Sequence, residues 1–350
     1  MTTEEHALAM IERVRAKPLR FRDERVTMAH GAGGKATQAL VEGLLAPAFG
    51  MNELADAAAI DGLALTTDSF VVRPIRFPGG SIGELAVNGT VNDLAAAGAR
   101  PLALTLSLVL EEGLGAQDLR AEVEAIARAA EAADVQVVAG DTKVVERGRC
   151  DSMYICTTGL GRVDPRARLS PSALRPGDRV IVSGSVGEHG TAIMLARGEF
   201  ELAAEIESDT QPLWRAVDAL LDAAGSELRC IRDATRGGVA SVLNELARAS
   251  GVAVVVREAA VPVHPAVAGA CEILGIDPMY VANEGRLVAF VSPEAVDDAL
   301  AALTSVPGCE HAAEIGEVKT EPPGLVLVET AFGGRRVMDM LVGDPLPRIC

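Results

Sequence analysis

Asp164-Pro165-Arg166-Ala167-Arg168-Leu169-Ser170-Pro171-Ser172-Ala173-Leu174-Arg175-Pro176-Gly177-Asp178 divides this 350-residue chain. Its three prolines each remove a backbone donor, and Pro176-Gly177 is a turn dipeptide, so neither helix nor sheet runs through it. Periodic sequence lies on both sides. A chain of this length also exceeds the size at which one hydrophobic core keeps growing, which predicts two domains. We place them at 27–165 and 175–342, after an extension 1–26 and before a mobile tail 343–350.

Upstream, Val26-Thr27-Met28-Ala29 reads as a short strand entering the glycine loop His30-Gly31-Ala32-Gly33-Gly34-Lys35, with a helix from Thr37 to Leu45 behind it. Gly62 to Asp68 is β-rich, Ile82 to Ala97 has helical spacing around Val87, Val91 and Leu94, and Leu102 to Leu110 reads as a buried strand. Ala116 to Ala133 is an amphipathic helix, followed by a strand over 135–139 and a turn Gly140-Asp141-Thr142-Lys143. Downstream come a strand at 179–183, a helix from Val239 to Ser250 and a β-rich stretch up to Val342. Strands and helices mix without clean βαβ repetition, so the expected class is α+β rather than a doubly wound sheet.

Composition narrows the function. Hydrophobic residues make up 49% of the chain and mean hydropathy is +0.24, ample for globular cores. Aromatics are only 3%, which speaks against base-stacking surfaces. With 49 acidic against 32 basic residues the formal net charge is -17, unfavourable for nucleic acid or anionic membranes. No basic segment followed by an apolar run opens the chain and no apolar stretch is long enough to span a bilayer, so a cytoplasmic protein is expected. The six cysteines are dispersed without C-x-x-C or zinc spacing. Five read as small buried hydrophobes; the sixth, Cys350, ends the chain in Pro347-Arg348-Ile349-Cys350. A thiol with nothing after it lacks the three residues that prenylation needs and reads either as a frayed end or as movable cargo.

Two features carry chemistry. Consecutive glycines before a helix let backbone N–H groups approach phosphate oxygens. The loop is no P-loop, since Ala36 follows Lys35 and Ala29 stands at the first glycine position, but Gly31-x-Gly33-x-x-Ala36 approximates a dinucleotide fingerprint. More telling are Asp68, Asp93, Asp141 and Asp233, each closing an apolar run or flanking a glycine turn. Buried carboxylates are costly unless paired or metal-bound, and Mg2+ holds nucleotide phosphates through such groups. With Asn92, Thr142, Lys143 and the glycine loop they suggest a polyphosphate site.

These residues resemble a known family. His30-Gly31-Ala32-Gly33-Gly34, Thr66-Thr67-Asp68-Ser69-Phe70, Phe77-Pro78-Gly79-Gly80, Gly89-Thr90-Val91-Asn92-Asp93-Leu94, Gly140-Asp141-Thr142-Lys143, Asp233-Ala234-Thr235-Arg236-Gly237-Gly238, Val281-Ala282-Asn283-Glu284-Gly285 and the terminal PRIC are similar to the HypE family of hydrogenase expression/formation proteins. That family lies in the aminoimidazole ribonucleotide synthetase-like superfamily. The likeness runs from about residue 26 to the end, and Ala32 stands where the family's loop is often all glycine. Superfamily relatives such as selenophosphate synthetase-like or purine-synthesis enzymes share the aspartates but use a diffusible substrate. A non-catalytic scaffold carrying a modified cysteine is the rival outside enzymes.

The resemblance implies a two-domain fold whose N-terminal domains pair sheets in a homodimer, with a C-terminal α+β domain. It implies an ATP-dependent carbamoyl dehydratase that converts a carboxamide on its own Cys350 into a thiocyanate, the carboxamide coming from the carbamoyltransferase HypF and the cyanide passing to a HypC–HypD complex for [NiFe]-hydrogenase. Implied cofactors are ATP and Mg2+, the metal held by Asp68, Asp93 and Asp233. Gly33, Gly34, Lys35, Thr67, Asn92, Asp141 and Thr142 would face the nucleotide, with Lys143 and Glu284 at the carboxamide. On the residues alone, Glu284 could equally pair with Arg286 and Lys143 be a solvated turn lysine.

Overall fold

A computed structural model describes residues 20–51, 54–198, 205–343 and 348–350. Most of the predicted extension 1–26 and four residues of the predicted tail lie outside the described residues. The first half carries β1 (Ala58–Ile60), β2 (Leu63–Phe70), a short hairpin of β3 (Arg76–Phe77) and β4 (Gly80–Ser81), then β5 (Ala99–Glu111), β6 (Gln136–Val145) and β7 (Met153–Val163). Five of them form one sheet in the order β1-β2-β7-β5-β6, antiparallel except for the β5–β6 pair. The helix Ala116–Ala132 supplies the crossover between those parallel strands.

The helix Ile82–Ala96 decides how the halves meet. Thirteen of its fifteen residues are buried, too many for a helix covering a single sheet. One side packs on the first sheet; at the other end Ala95 and Ala96 join a core with Leu220, Ile231 and Leu287 of the second half. Gly89 permits the contact on the sheet side, because a Cβ there would lie 2.8 Å from the Phe70 ring.

The second half contains β8 (Arg179–Val182), β9 (Leu228–Asp233), β10 (Ala253–Arg257), β11 (Leu287–Val291), β12 (Ala313–Lys319), β13 (Val326–Glu329) and β14 (Arg335–Met338). They form one sheet in the order β14-β13-β10-β12-β8-β11-β9. Alternate residues of β8 and β11 feed two cores: Val180, Val182, Val288 and Phe290 face the helix Gly238–Ser250, while Ile181, Leu287, Ala289 and Val291 face the helices Trp214–Ala224 and Val296–Thr304. Burial on both faces explains their unbroken apolar runs. The proline-rich connector is pinned where Arg166 gathers Asp164, Asp218 and Asp222.

Several local expectations change. Val26 to Ala29 is not a strand: Met28–Gly31 is a 3-10 turn, closed by the Thr27 N–H donating 3.0 Å to the His30 ring. The helix after the glycine loop starts at Lys35 and widens into a π turn at Val41–Leu45. Gly140 to Lys143 is no turn either, since β6 runs straight through it at the sheet edge. Leu102 to Leu110 is a strand buried on one face only, because no helix among the described residues covers the opposite face of the first sheet. Leu63, Leu65 and Leu160 stand exposed on that open face, with Val137, Val138 and Val144 exposed along the edge strand.

Candidate functional site

Period-two geometry sorts the site residues by face. In β2, Ala64, Thr66, Asp68 and Phe70 point toward the helix Ile82–Ala96, whereas Leu63, Leu65, Thr67 and Ser69 point to the open face. Asp68 therefore turns toward Asp93 on that helix and toward Asp233 at the end of β9. Asp56, just before β1, joins them and contacts Arg232. Thr66 ties the group together: its hydroxyl lies 2.7 Å from an Asp93 oxygen and 2.9 Å from the Asp56 carbonyl.

The electrostatics are those of an anionic pocket that Arg232 and Arg236 neutralise only in part. Burial first, then repulsion from Asp233, Asp56 and Asp68, pushes the Asp93 carboxyl well above its ordinary range. Burial and Asp56 do the same to Asp233. Glu284, fully enclosed in the Asn283-Glu284-Gly285 loop, is pushed well up by burial and by Asp68, Asp233 and Asp209. Arg236 also faces this group, its guanidinium held charged most strongly by Cys350 and then by Asp68, Glu284 and Asp93. Among the described residues no three histidine, cysteine or carboxylate side chains converge closely enough to hold a metal unaided. This donor set fits Mg2+ as it binds with nucleotides, through one or two carboxylates completed by phosphate oxygens and water.

The tail reaches the same place. Ile349 is buried and Cys350 packs against the first core, lining a cavity of about 130 Å³ with Ser69, Val71, Arg236, Gly237 and Tyr280. The last three residues of the tail, 348–350, are seated beside Arg236.

Other expected residues sit differently. Asn92 is spoken for: its amide N–H groups reach the carbonyls of Gln211 (3.0 Å) and Glu284 (3.2 Å), and its oxygen accepts from Leu213 N–H at 2.8 Å. It holds the Glu284 loop. Gly33 and Gly34 are needed for packing, because a Cβ at either would lie 2.5 Å from the carbonyl oxygen of Arg236 or Leu341, respectively. Gly33 N–H goes to Thr37 and Lys35 N–H to Leu341, so two of the loop amides are taken within the protein. Lys35 pairs with Asp339 at 2.6 Å. Thr67 faces the open side, bonded to Thr157 O.

Within one chain Lys143 stands apart from this acidic group. The row Asp68, Thr157, Leu106, Gly140 spans β2, β7, β5 and β6, about 14 Å at roughly 4.8 Å per strand. Lys143 lies on the far strand and shares the open face with Val109 and Asp141. Within one chain it pairs with Asp141 at 2.5 Å, and neither it nor Thr142 joins Glu284. Nor does Glu284 pair with Arg286, whose partners are Glu188 and Asp209. Sequence reasoning missed Asp56, Arg236 and Asp209; only Arg236 stood inside a quoted motif.

Comparison with known proteins gives this geometry a lineage. Residues 54–163 match the N-terminal domain, and 175–328 the C-terminal domain, of the AIR synthase related protein family. Carbamoyl dehydratase HypE of Rhodobacter capsulatus is 49% identical over 339 residues, covering 94% of this chain and 99% of that protein. The chain belongs to the HypE family. A HypE crystal structure in complex with ATP is 43% identical with a TM-score of 0.80, covering 93% of this chain and 100% of that one. A HypE chain solved in a HypE–HypF complex is also 43% identical, with a TM-score of 0.83 over 87% of this chain and 100% of that chain. The two-domain AIR synthase-related fold expected of a HypE family member is thus in place, and no described helix is long and apolar enough to cross a membrane.

The repulsion among the aspartates makes a prediction. A carboxyl whose folded pKa is raised adds stability below its unfolded value, near pH 4, and loses it as pH rises through the folded value. Asp93→Asn removes that loss. Near neutral pH without metal its melting temperature is expected to rise by about 2–4 °C, while Mg-ATP affinity falls roughly 10- to 100-fold. Thermal melts and titration calorimetry check the two signs; an unchanged affinity would remove Asp93 from the metal site.

Proposed function

We propose that this chain is an ATP-dependent carbamoyl dehydratase acting on a carboxamide carried by its own Cys350, in hydrogenase maturation. The observation that carries the reading is Cys350 seated beside Arg236 at the rim of the acidic pocket formed by Asp56, Asp68, Asp93, Asp233 and Glu284. The family's ATP complex and its HypE–HypF complex support ATP as phosphoryl donor and HypF as the source of the carbamoyl group. A HypC–HypD complex receives the cyanide in this reading.

The chemistry requires an amide oxygen to become a leaving group. The carboxamide oxygen takes the γ-phosphoryl group of ATP and the nitrogen gives up its first proton. Phosphate then departs with that oxygen, the nitrogen gives up its second proton, and the C≡N bond closes. Atoms balance as S-carbamoyl cysteine plus ATP going to S-cyano cysteine, ADP and phosphate. Bound Mg2+ would supply charge neutralisation at the phosphates, each ion held by one or two of the carboxylates Asp68, Asp93 and Asp233. Arg236 balances negative charge beside the tail, and Glu284 accepts the nitrogen protons. A raised pKa suits that role, because a base of ordinary carboxylate strength takes protons poorly near neutrality.

Lys143 enters this scheme through a second copy. The open sheet face with its exposed leucines and the unpaired edge β6 form a surface that a homodimer would cover, carrying Asp141, Thr142 and Lys143 toward a neighbour's pocket. Mixing Lys143→Ala with Glu284→Gln chains tests this: activity regained in the mixture supports a shared site, and none regained returns Lys143 to the role of a surface lysine.

The direct test of the function is the intact mass of the C-terminal peptide after incubation with carbamoyltransferase, carbamoyl donor, ATP and Mg2+. Gain of a carbamoyl group followed by loss of one water is expected. A carbamoyl adduct that persists with ATP present would refute dehydration.

A further inference from the structure

The seat of the tail is built largely from hydrogen bonds to its main-chain carbonyls, and Arg197 Nη2 donates to that of Arg348 at 2.7 Å. Arg73 N–H donates to Arg348 O at 3.2 Å and Val71 N–H to Cys350 O at 3.1 Å. The carbonyls of Arg348 and Cys350 thus turn to the chain that leaves β2. Ile349 O turns the other way. It meets the Nε2 of His189 at 2.7 Å, inside the protein.

Nothing in the dehydration chemistry uses His189, yet it is fully buried and completely bonded. A carbonyl can only accept, so Nε2 carries the proton and donates. Nδ1 then accepts from the Ser208 hydroxyl at 2.7 Å. Ser208 Oγ in turn accepts from Thr210 N–H at 3.2 Å. Each donor in this line has one acceptor, and the direction runs toward the tail. The ring is oriented by an edge contact with Phe77, centroids 5.5 Å apart, and the helix Glu188–Ala196 fixes its backbone. Burial lowers its pKa, in keeping with the neutral form that this pattern needs.

We propose that His189 is the positioning residue that docks the tail: its Nε2–H reads the Ile349 carbonyl and so sets the register that places the Cys350 sulfur at the site. Ile349 fills an apolar hole and Arg348 pairs with Asp151. Those side-chain contacts choose which tail enters. His189 fixes how far it enters, because a slip of one residue would turn that carbonyl away. The inference rests on the proposed function for its consequence but not for its geometry.

A docking residue has a signature that a merely structural one lacks. Cys350 must leave the seat to receive a carbamoyl group and return to lose water, so weakening the seat speeds the first half-reaction and slows the second. His189→Asn keeps a short amide near Ser208 but falls short of Ile349; His189→Gln places an N–H donor close to the Nε2 position. Loss of one buried hydrogen bond shifts a docking equilibrium roughly tenfold.

The experiment first measures alkylation of the Cys350 thiol by a maleimide in the intact protein, with no partner present. His189→Asn is expected to react roughly tenfold faster than the parent, with His189→Gln restored to within about twofold. Single-turnover assays should then show His189→Asn accepting the carbamoyl group at least as fast as the parent and dehydrating it roughly tenfold more slowly. Equal alkylation rates in all three proteins, or both half-reactions slowed together in His189→Asn with no recovery in His189→Gln, overturn the proposal. If the alkylation pattern holds while the parent never forms a cyano adduct, the docking role stands and the dehydratase reading fails.

Discussion

Cys350→Ala is expected to abolish both carbamoyl and cyano adducts while leaving the fold in place. The backbone contacts of the tail survive the change, since Val71 N–H and His189 bond main-chain carbonyls, and Ile349 keeps its apolar hole. The loss of one partly buried thiol leaves stability within about 1 kcal/mol. No other cysteine is placed to substitute. Cys150, Cys230, Cys271 and Cys309 are buried, and Cys156 lies on β7 with its side chain toward the open sheet face. Peptide mass mapping after incubation with carbamoyltransferase and ATP reads the result, and an adduct on Cys156 would show that the assignment to the tail is wrong.

Glu284→Gln is expected to stop the reaction halfway. The side chain keeps its size, and the loop keeps its anchors: Asn92 still holds the residue's carbonyl and Asp209 still accepts its N–H. Mg-ATP binding and acceptance of the carbamoyl group should therefore persist. Removing a positioned general base costs about 10²- to 10⁴-fold in rate, whereas the loss of a surface ion pair costs little. The carboxamide should accumulate. In the parent, Glu284 must be deprotonated to act and its pKa is raised, so dehydration slows as pH falls through that raised value. Single-turnover mass analysis across pH checks both points; dehydration at the parent rate in the glutamine variant would leave another group as the base.

Much of this was legible before any coordinates. The segment Asp164 to Asp178 marks the division because proline and glycine act locally, through their own φ and their own missing or free groups. The helices at 82–96 and 116–132 follow from apolar spacing alone. Asp68, Asp93, Asp141 and Asp233 stood out because a carboxylate at the end of an apolar run is costly if buried; the first, second and fourth meet at the pocket, while Asp141 is exposed on the edge strand β6.

What failed was the reading of residues whose meaning depends on distant partners. Gly140-Asp141-Thr142-Lys143 has the composition of a turn, yet pairing with β5 keeps it extended, and tertiary context overrides local preference in strands. Asn92 has the chemistry of a nucleotide ligand, but Gln211, Leu213 and Glu284 reach it from far along the sequence and occupy both its N–H donors and one lone pair of its oxygen. His189 carried no motif by which it was singled out, because its partner Ile349 lies 160 residues away.

By itself, then, the sequence determined the two-domain division, the class of fold and the acidic pocket's main carboxylates, all properties written in local patterns. Only the tertiary structure decided that Asp56 joins the aspartates, that Lys143 stands three strands from Asp68 on the opposite face, and that the tail docks under His189. Those facts depend on register and on which face each strand buries, and a period of two residues leaves both open until the sheets are packed.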